Sequence, residues 1–389
     1  MKICLVTSSY PLNHQNSEVP WLRQAVNLVN EEKDIEVIVF AAAFKGLQDH
    51  EIDGIPVKRF RYFFSRYESL THEDGAAHKI QSRWYRLLAI PYIICGSIQL
   101  AAFNRREKFD ILHVHWPFPH AILAFFAQIF HPAKIVLNYH GTTLILIKRY
   151  PFVRYFQRFF IKHADEIISN SRYTDSIMGE IENRASKIIP YGTTVRQTTQ
   201  SVSKEPYHII SVGRLIERKG FPYLIRAMPE IVEKWPQARL TIVGGGGQLK
   251  TLQQLISDLE MAQHVHLSGN ISSAELKKIY DKGSIFVLPS IFDANGETEG
   301  LGVVLIEAVV NGCALIGSNI GGIPDVVIHE QTGLLVDPNR PAAIAKAVDR
   351  YFSDAAFKAT MVKQGQRHVQ ENFSWKRVTE QLCHVYRHL

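Results

Sequence analysis

PSIFDANGETEGLGVVLIEAVVNG, residues 289–312, is the stretch on which the reading of this chain turns. Glu299 and Glu307 stand eight positions apart, separated by Gly300-Leu301-Gly302 and the apolar run Val303–Ile306. A strand-like run, Ser284–Leu288, comes before, and Gly312 follows as a helix C-cap. The order is therefore strand, loop, helix, with glycines at the helix entrance. Backbone N–H groups at such an entrance point outward, and the helix dipole favours an anion in front of them. Glycines remove the side-chain bulk that would keep an anion away. Glu299 falls just outside the helix, where its carboxylate can accept hydrogen bonds from hydroxyl groups, and Glu307 lies further along. A phosphate flanked by hydroxyl-rich groups suits this arrangement.

Working outward, 389 residues with 46% apolar content are enough for two domains with proper cores. Strand-like runs at Ile3–Thr7, Glu36–Phe40, Ile111–His115, Ile135–Tyr139, Glu166–Ser169 and Lys187–Ile189 alternate with helical patterns. A polar, apolar-poor stretch, Thr193–Glu205, reads as a linker. A second alternating series begins at Tyr207: His208–Val212, Arg239–Val243, His264–Leu267, Ser284–Leu288, Ala314–Ile316 and Gly333–Val336. Such alternation predicts an α/β protein with parallel sheets covered on both faces and ligands at the strand C-terminal ends.

Several strand ends carry chemistry. Arg214 and Lys219, in VGRLIERKG, bracket the turn after His208–Val212; two cations there can clamp a diphosphate. Arg218 beside them reads as an exposed extra cation. Gly244–Gly247 end the next strand, and Gly269-Asn270 the one after. In the first half, Tyr139-His140-Gly141-Thr142 and Asp110-Ile111-Leu112-His113-Val114-His115-Trp116 also end strands. His113 and His115 share one strand face; no third ligand accompanies them, so no metal site is expected.

Residues 289–312 resemble the EX7E signature of retaining GT-B glycosyltransferases of family GT4, and GR…KG resembles the same family's diphosphate motif. The fold implied is GT-B, two Rossmann-like domains with parallel sheets facing across a cleft. The expected division is an acceptor-side domain over residues 1–192, a linker over 193–206, a nucleotide-sugar domain over 207–370, and a last helix over 371–389 crossing back to the first domain. The resemblance implies donor-binding roles for Arg214, Lys219, Gly244, Gly246, Asn270, Glu299, Gly300, Leu301, Gly302 and Glu307. It also implies catalytic roles for His140, Glu299, Arg214 and Lys219. Acceptor-side candidates are His115, Tyr10 and Asn13. The loop Ser8–Glu18 lacks the Gly-Gly pair of many members. It is closer to the exopolysaccharide and lipid-linked glycan branch, although Val19-Pro20-Trp21 stands where that branch carries phenylalanine. No cofactor is implied. The co-substrate would be a nucleoside-diphosphate sugar, UDP favoured over GDP, and the acceptor a glycan, a lipid-linked sugar or a small molecule. Two other readings share the fold: a UDP-sugar 2-epimerase and a non-catalytic nucleotide-sugar-binding subunit.

The net charge is +7. Basic residues with interleaved aromatics gather at Lys58–Arg66, Arg83–Arg86 and Lys148–Lys162, in the first half. No nucleic-acid motif accompanies them, so nucleic acid is not an expected partner; an anionic membrane surface is. Leu87–Phe103 is uncharged, flanked by Arg83, Arg86, Arg105 and Arg106, and interrupted by Pro91, Gly96, Ser97 and Gln99. It falls short of the about 20 residues of a spanning helix and reads as a buried or interfacial helix. The cysteines Cys4, Cys95, Cys313 and Cys383 are scattered, as reduced thiols of a cytoplasmic protein would be. Lys2–Val6 runs straight into a strand, so no signal peptide is expected. The location implied is cytoplasmic, with peripheral attachment to the inner face of the cell membrane as its extension.

Overall fold

Strands buried on both faces of a parallel sheet need continuous apolar runs rather than alternating ones. The computed structural model, which describes residues 1–16, 18–72, 79, 82–141, 151–193 and 203–389, turns those runs into two separate sheets. Thr142 of the His140 motif, Lys148, most of the linker and Ser17 of the first loop lie outside the described residues. The chain divides into two units, Met1–Tyr191 with Trp375–Leu389, and Gly192–Ser374.

The first unit carries β1 (Lys2–Thr7), β2 (Glu36–Ala42), β3 (His50–Ile52), β4 (Ile55–Phe60), β5 (Ile111–His115), β6 (Lys134–Tyr139), β7 (Glu166–Ser169) and β8 (Lys187–Ile188). Their order is β3-β4-β2-β1-β5-β6-β7-β8. All neighbours are parallel except β3 and β4. The helices are α1 (Pro20–Asn30), α2 (Arg83–Glu107), α3 (Pro117–Gln128), α4 (Pro151–His163) and α5 (Arg172–Ile181). Alternate residues of β1 feed opposite cores: Cys4 and Val6 meet residues of α2, α3 and α4, while Ile3 and Leu5 meet those of α1.

The β3–β4 hairpin corrects the reading of Lys58–Arg66 as an open basic cluster. Asp53 and Gly54, at φ 55° and 81°, make its turn. Arg59 is 3% exposed and donates to the carbonyl oxygens of Tyr10 (2.9 Å) and Pro11 (2.8 Å). Lys58 pairs with Asp49 and Arg61 with the buried Glu68.

Helix α2 has the length and composition to cross a membrane. Yet Leu88, Tyr92, Leu100, Phe103 and Asn104 are buried along it. A Cβ on Gly96 would lie 2.8 Å from the Leu123 side chain, so α2 and α3 pack closely.

The second unit carries β9 (His208–Val212), β10 (Arg239–Val243), β11 (Val265–Gly269), β12 (Ile285–Leu288), β13 (Ala314–Ser318) and β14 (Leu334–Val336). They pair in parallel, ordered β11-β10-β9-β12-β13-β14. Helices α6 (Phe221–Lys234), α7 (Leu249–Asp258), α8 (Ser273–Lys282), α9 (Val303–Val310), α10 (Ile323–Val326), α11 (Pro341–Ser353) and α12 (Ala355–Asn372) surround them. Strand order reverses between β9 and β12, because the chain builds outward to β11 before returning. Open α/β sheets bind ligands where the order reverses, at the strand C-terminal ends. The last helix, α13 (Trp375–Arg387), belongs to the first unit, where Val378, Leu382, Val385 and Tyr386 join the core lined by α1.

Candidate active site

The reversal between β9 and β12 brings together two loops that are 80 residues apart in sequence. After β9 the chain makes a 3-10 turn, Glu217–Lys219, ending at Gly220 with φ 64°. A Cβ on Gly220 would fall 1.9 Å from the Pro289 carbonyl oxygen, so only glycine lets this turn lie against the segment after β12. That contact aims Lys219, 7% exposed, at Glu299, and their charged ends are bonded directly. Arg218 reaches the same carboxylate at 3.7 Å and donates to the Thr298 carbonyl at 3.3 Å. Arg218 was expected to be solvated; its side chain is instead 17% exposed and part of the cluster. Arg214 is exposed, and its charge is felt by both Lys219 and Glu299.

Burial works to raise the Glu299 carboxyl, but Lys219, Arg218 and Arg214 overcome it and hold Glu299 below the ordinary carboxylate value. Burial and the neighbouring arginines lower Lys219, against the pull of Glu299. Three cations facing one carboxylate leave a net positive pocket at this edge.

Gly302, at φ 86°, is the N-cap of α9, so the helix entrance is glycine-built as expected, and Leu301 is buried beside it. The Gly321-Gly322 turn supports this entrance backbone to backbone. Gly322 N–H donates to the Glu299 carbonyl (2.9 Å), and a Cβ on Gly322 would sit 2.1 Å from the Gly300 oxygen. Gly244 and Gly246, ending β10, lie as tightly against Gly213 and Leu215 of the cationic turn. Asn270, ending β11, rests beside Gly245. Arg214, Lys219, Gly244, Gly246, Asn270, Glu299, Gly300, Leu301 and Gly302 are therefore gathered along one sheet edge. Glu307 lies deeper in α9, where it accepts from the Tyr280 hydroxyl at 2.9 Å. Burial raises its carboxyl, with the Tyr280 bond working the other way. Tyr280 had no signal in the sequence beyond lying in a helix before β12.

The first unit gathers a second constellation. The Tyr191 hydroxyl accepts from Asn170 Nδ2–H at 3.2 Å and is also hydrogen-bonded to His140 Nδ1. His140 Nε2 lies 2.9 Å from His115 Nδ1, and one proton is shared in that hydrogen bond. Both nitrogens of His140 are thus engaged within the unit, and the orientation of its ring is fixed. Burial pushes His113 and His140 down to about 3 and His120 to about 4. It drives His115 well below the ordinary histidine value, with the neighbouring histidines adding to the effect. His113 is held by the Tyr386 hydroxyl of α13 at 2.7 Å. Trp21 stacks on Tyr191, centroids 4.2 Å apart, and leans on His140 at 4.9 Å. Neither Trp21 nor Tyr191 was given a site role from the sequence; Trp21 stands at the position where the loop departs from its branch pattern. Tyr10, expected on the acceptor side, is wholly buried in the core, because the strand end turns inward over Arg59. Asn13 is exposed and closes a local turn by accepting from Gln15 N–H. No metal-holding group of three occurs among the described residues.

Residues 196–368 match the model of glycosyl transferases group 1, and residues 23–196 that of Glycosyltransferase Family 4. One similar protein is the GDP-mannose-dependent alpha-(1-6)-phosphatidylinositol monomannoside mannosyltransferase of Mycolicibacterium smegmatis, 36% identical over 43% of this chain and 44% of its own length. The first relatives are thus matched over less than half of their length. The N-acetyl-alpha-D-glucosaminyl L-malate synthase of Bacillus anthracis is 26% identical over 79% of this chain and 83% of its own. The crystal structure of Anabaena HepE in complex with UDP superposes over 100% of both chains with a TM-score of 0.74 at 17% identity. The two matched models abut at residue 196 and together take in residues 23–368, so the chain belongs to glycosyltransferase family 4 and has the GT-B fold.

Proposed function

We propose that the protein is a retaining glycosyltransferase that moves a sugar from a nucleoside-diphosphate donor to an acceptor hydroxyl in cell-surface polysaccharide or glycolipid synthesis. The observation that carries this reading is the cationic cluster of Lys219, Arg218 and Arg214 around Glu299 at the strand-order reversal, in front of a glycine-built helix start. In the reaction the bond from the anomeric carbon to the diphosphate breaks, and a bond to the acceptor oxygen forms on the same face. The acceptor's proton passes to the departing phosphate oxygen. Fixed cations and helix N–H groups stabilise the charge that gathers on that phosphate without having to reorganise. Glu299 meets the sugar hydroxyls and Glu307 the ribose. His140, its ring oriented by Tyr191 and His115, is the residue of the first unit given a part in the transfer step.

The donor base is proposed to be uridine. HepE, which shares the fold, was crystallised with UDP, whereas the M. smegmatis relative is GDP-mannose dependent. The test is release of nucleoside diphosphate from parallel panels of UDP- and GDP-sugars, with product anomers read by NMR. Release from UDP-sugars with an axial product supports the proposal. Release from GDP-mannose alone overturns the base, an equatorial product overturns retention, and epimerised donor without glycoside overturns transfer.

A further inference from the structure

The helices that cover one face of the first sheet leave an apolar surface uncovered. On α2, Leu87, Ile90, Ile94 and Ile98 are 54–61% exposed and recur at spacings of three and four, one stripe along the helix. The stripe does not stop at the helix. Its upper end meets the exposed Phe63, whose ring is 6.2 Å from Trp84. Its lower end opens into a groove of about 560 Å³ between α2 and α3, lined by Ile98, Ala101, Ala102, Phe126 and Phe130 with Arg105 and Arg106 at the rim. From α3 the surface continues to α4 through Phe125 and Phe159, centroids 5.7 Å apart. There Phe152, Tyr155 and Phe156 are about half exposed or more. A contiguous apolar surface of this extent marks a docking face.

Charge identifies the occupant. The three helices carry one acidic residue, Glu107, already paired with Lys2 and Arg106. The basic residues Arg83, Arg86, Arg105 and Lys162 are exposed and make no ion pair among the described residues. A second copy of this chain would press like charges together across such a face. An anionic bilayer matches both properties: the stripe enters the acyl boundary, the arginines meet lipid phosphates, and Trp84 and Tyr155 suit the headgroup level. Because the opposite side of α2 is packed into the core, the helix lies in the membrane plane instead of crossing it.

We propose that the outer face of α2, α3 and α4 is a docking surface for an anionic lipid bilayer, and that the acceptor is a lipid-linked sugar. The second clause rests on the glycosyltransferase reading; the first does not. The experiment is co-sedimentation of the full chain with vesicles of phosphatidylcholine alone or mixed equally with phosphatidylglycerol, at low and high salt. The variants are I90E/I94E and R83Q/R86Q, at exposed positions outside the proposed site. The wild type should bind mixed vesicles at least about tenfold more tightly than neutral ones and lose that margin at high salt. I90E/I94E should lose about tenfold or more at either salt, and R83Q/R86Q only the salt-sensitive part. Circular dichroism and UDP affinity should stay unchanged in both. Absence of binding to mixed vesicles at low salt overturns the proposal, as does equal binding by I90E/I94E. A dimer in sedimentation velocity that I90E/I94E abolishes, without vesicle binding, assigns the face to a second copy and overturns it too. Sedimentation needs no donor and no turnover, so its failure and that of the enzymatic reading are separate results.

Discussion

Replacing Lys219 with methionine keeps the aliphatic stem beside Gly213 and removes only the charge. The carboxylate of Glu299, 13% exposed, would then be left in a largely dry site. Breaking a buried ion pair from one side costs about 3–5 kcal/mol. Arg218, 3.7 Å from the same oxygen, and Arg214 remain, so the lower end, about 3 kcal/mol, applies. For a domain of this size that lowers Tm by roughly 6–12 °C at neutral pH. Loss of a charge-assisted bond to the diphosphate adds about 1.5–3 kcal/mol to nucleotide binding, or roughly tenfold to a hundredfold in Kd for UDP. Both are measurable on one preparation, by scanning calorimetry and titration calorimetry. The decisive comparison is K219M/E299Q, which removes the orphaned charge as well and should recover part of the lost stability. If the double variant melts no higher than K219M, or if K219M leaves both Tm and UDP affinity unchanged, the electrostatic reasoning for this cluster is refuted.

The remaining predictions concern the histidines and the second glutamate. The pKa values of His113, His115, His120 and His140 are lowered in the folded protein, so the unfolded chain takes up protons that the folded one does not. Stability therefore falls as pH drops below the ordinary value of about 6.5, by about 1.4 kcal/mol per histidine at about pH 5.5; a melting temperature flat from about pH 7.5 to 5.5 contradicts their burial as neutral rings. His140→Ala should fold and bind nucleotide yet turn over far more slowly, whereas Tyr191→Phe, which removes only the hydroxyl that orients the ring, should slow turnover about tenfold; wild-type rates in both remove the constellation from the reaction. Glu307→Gln should weaken UDP and the full donor alike, while Glu299→Gln should lower kcat more than UDP affinity. Equal losses in both assays for both variants would overturn that division of labour.

Parallel strands announce themselves because burial on both faces demands apolar runs, and Ile285–Leu288 or Ile111–His115 need little else to be read. The β3–β4 hairpin was not read, although Asp53-Gly54 between Ile52 and Ile55 carries its signal, because the following residues stood out as a basic cluster instead. What the sequence withholds is side-chain direction in irregular turns. Arg218 read as an exposed extra cation, and Arg59 as one member of a basic cluster, because nothing local says where a 3-10 turn or a strand end will aim them. Their partners, Glu299 and the carbonyls of Tyr10 and Pro11, are 81 and about 50 positions away. Tyr10 was misjudged for the complementary reason: a loop after a strand is expected to be open, and here Arg59 ties it inward. The motif residues around Glu299 were legible because glycine and charge at a helix entrance are local signals. The hydrogen-bond chain through Tyr191, His140 and His115 was not, since it joins three strand ends through tertiary contact alone.

The placement of α13 sets an order of events during synthesis. Tyr386 bonds His113, Arg387 pairs with Glu32 and Asp34, and Val378, Leu382 and Val385 close the core lined by α1. The first unit is thus begun by residues translated before the second unit and finished by residues translated after the whole of it, the second unit having its own uninterrupted segment, Gly192–Ser374. A nascent chain must carry an incomplete first unit, with the seat of α13 bare, until translation has passed residue 386. That half-built state is the one exposed to aggregation and to chaperones. Stalling or proteolysis before Trp375 would release a chain whose second sheet is folded and whose histidine constellation has lost its support.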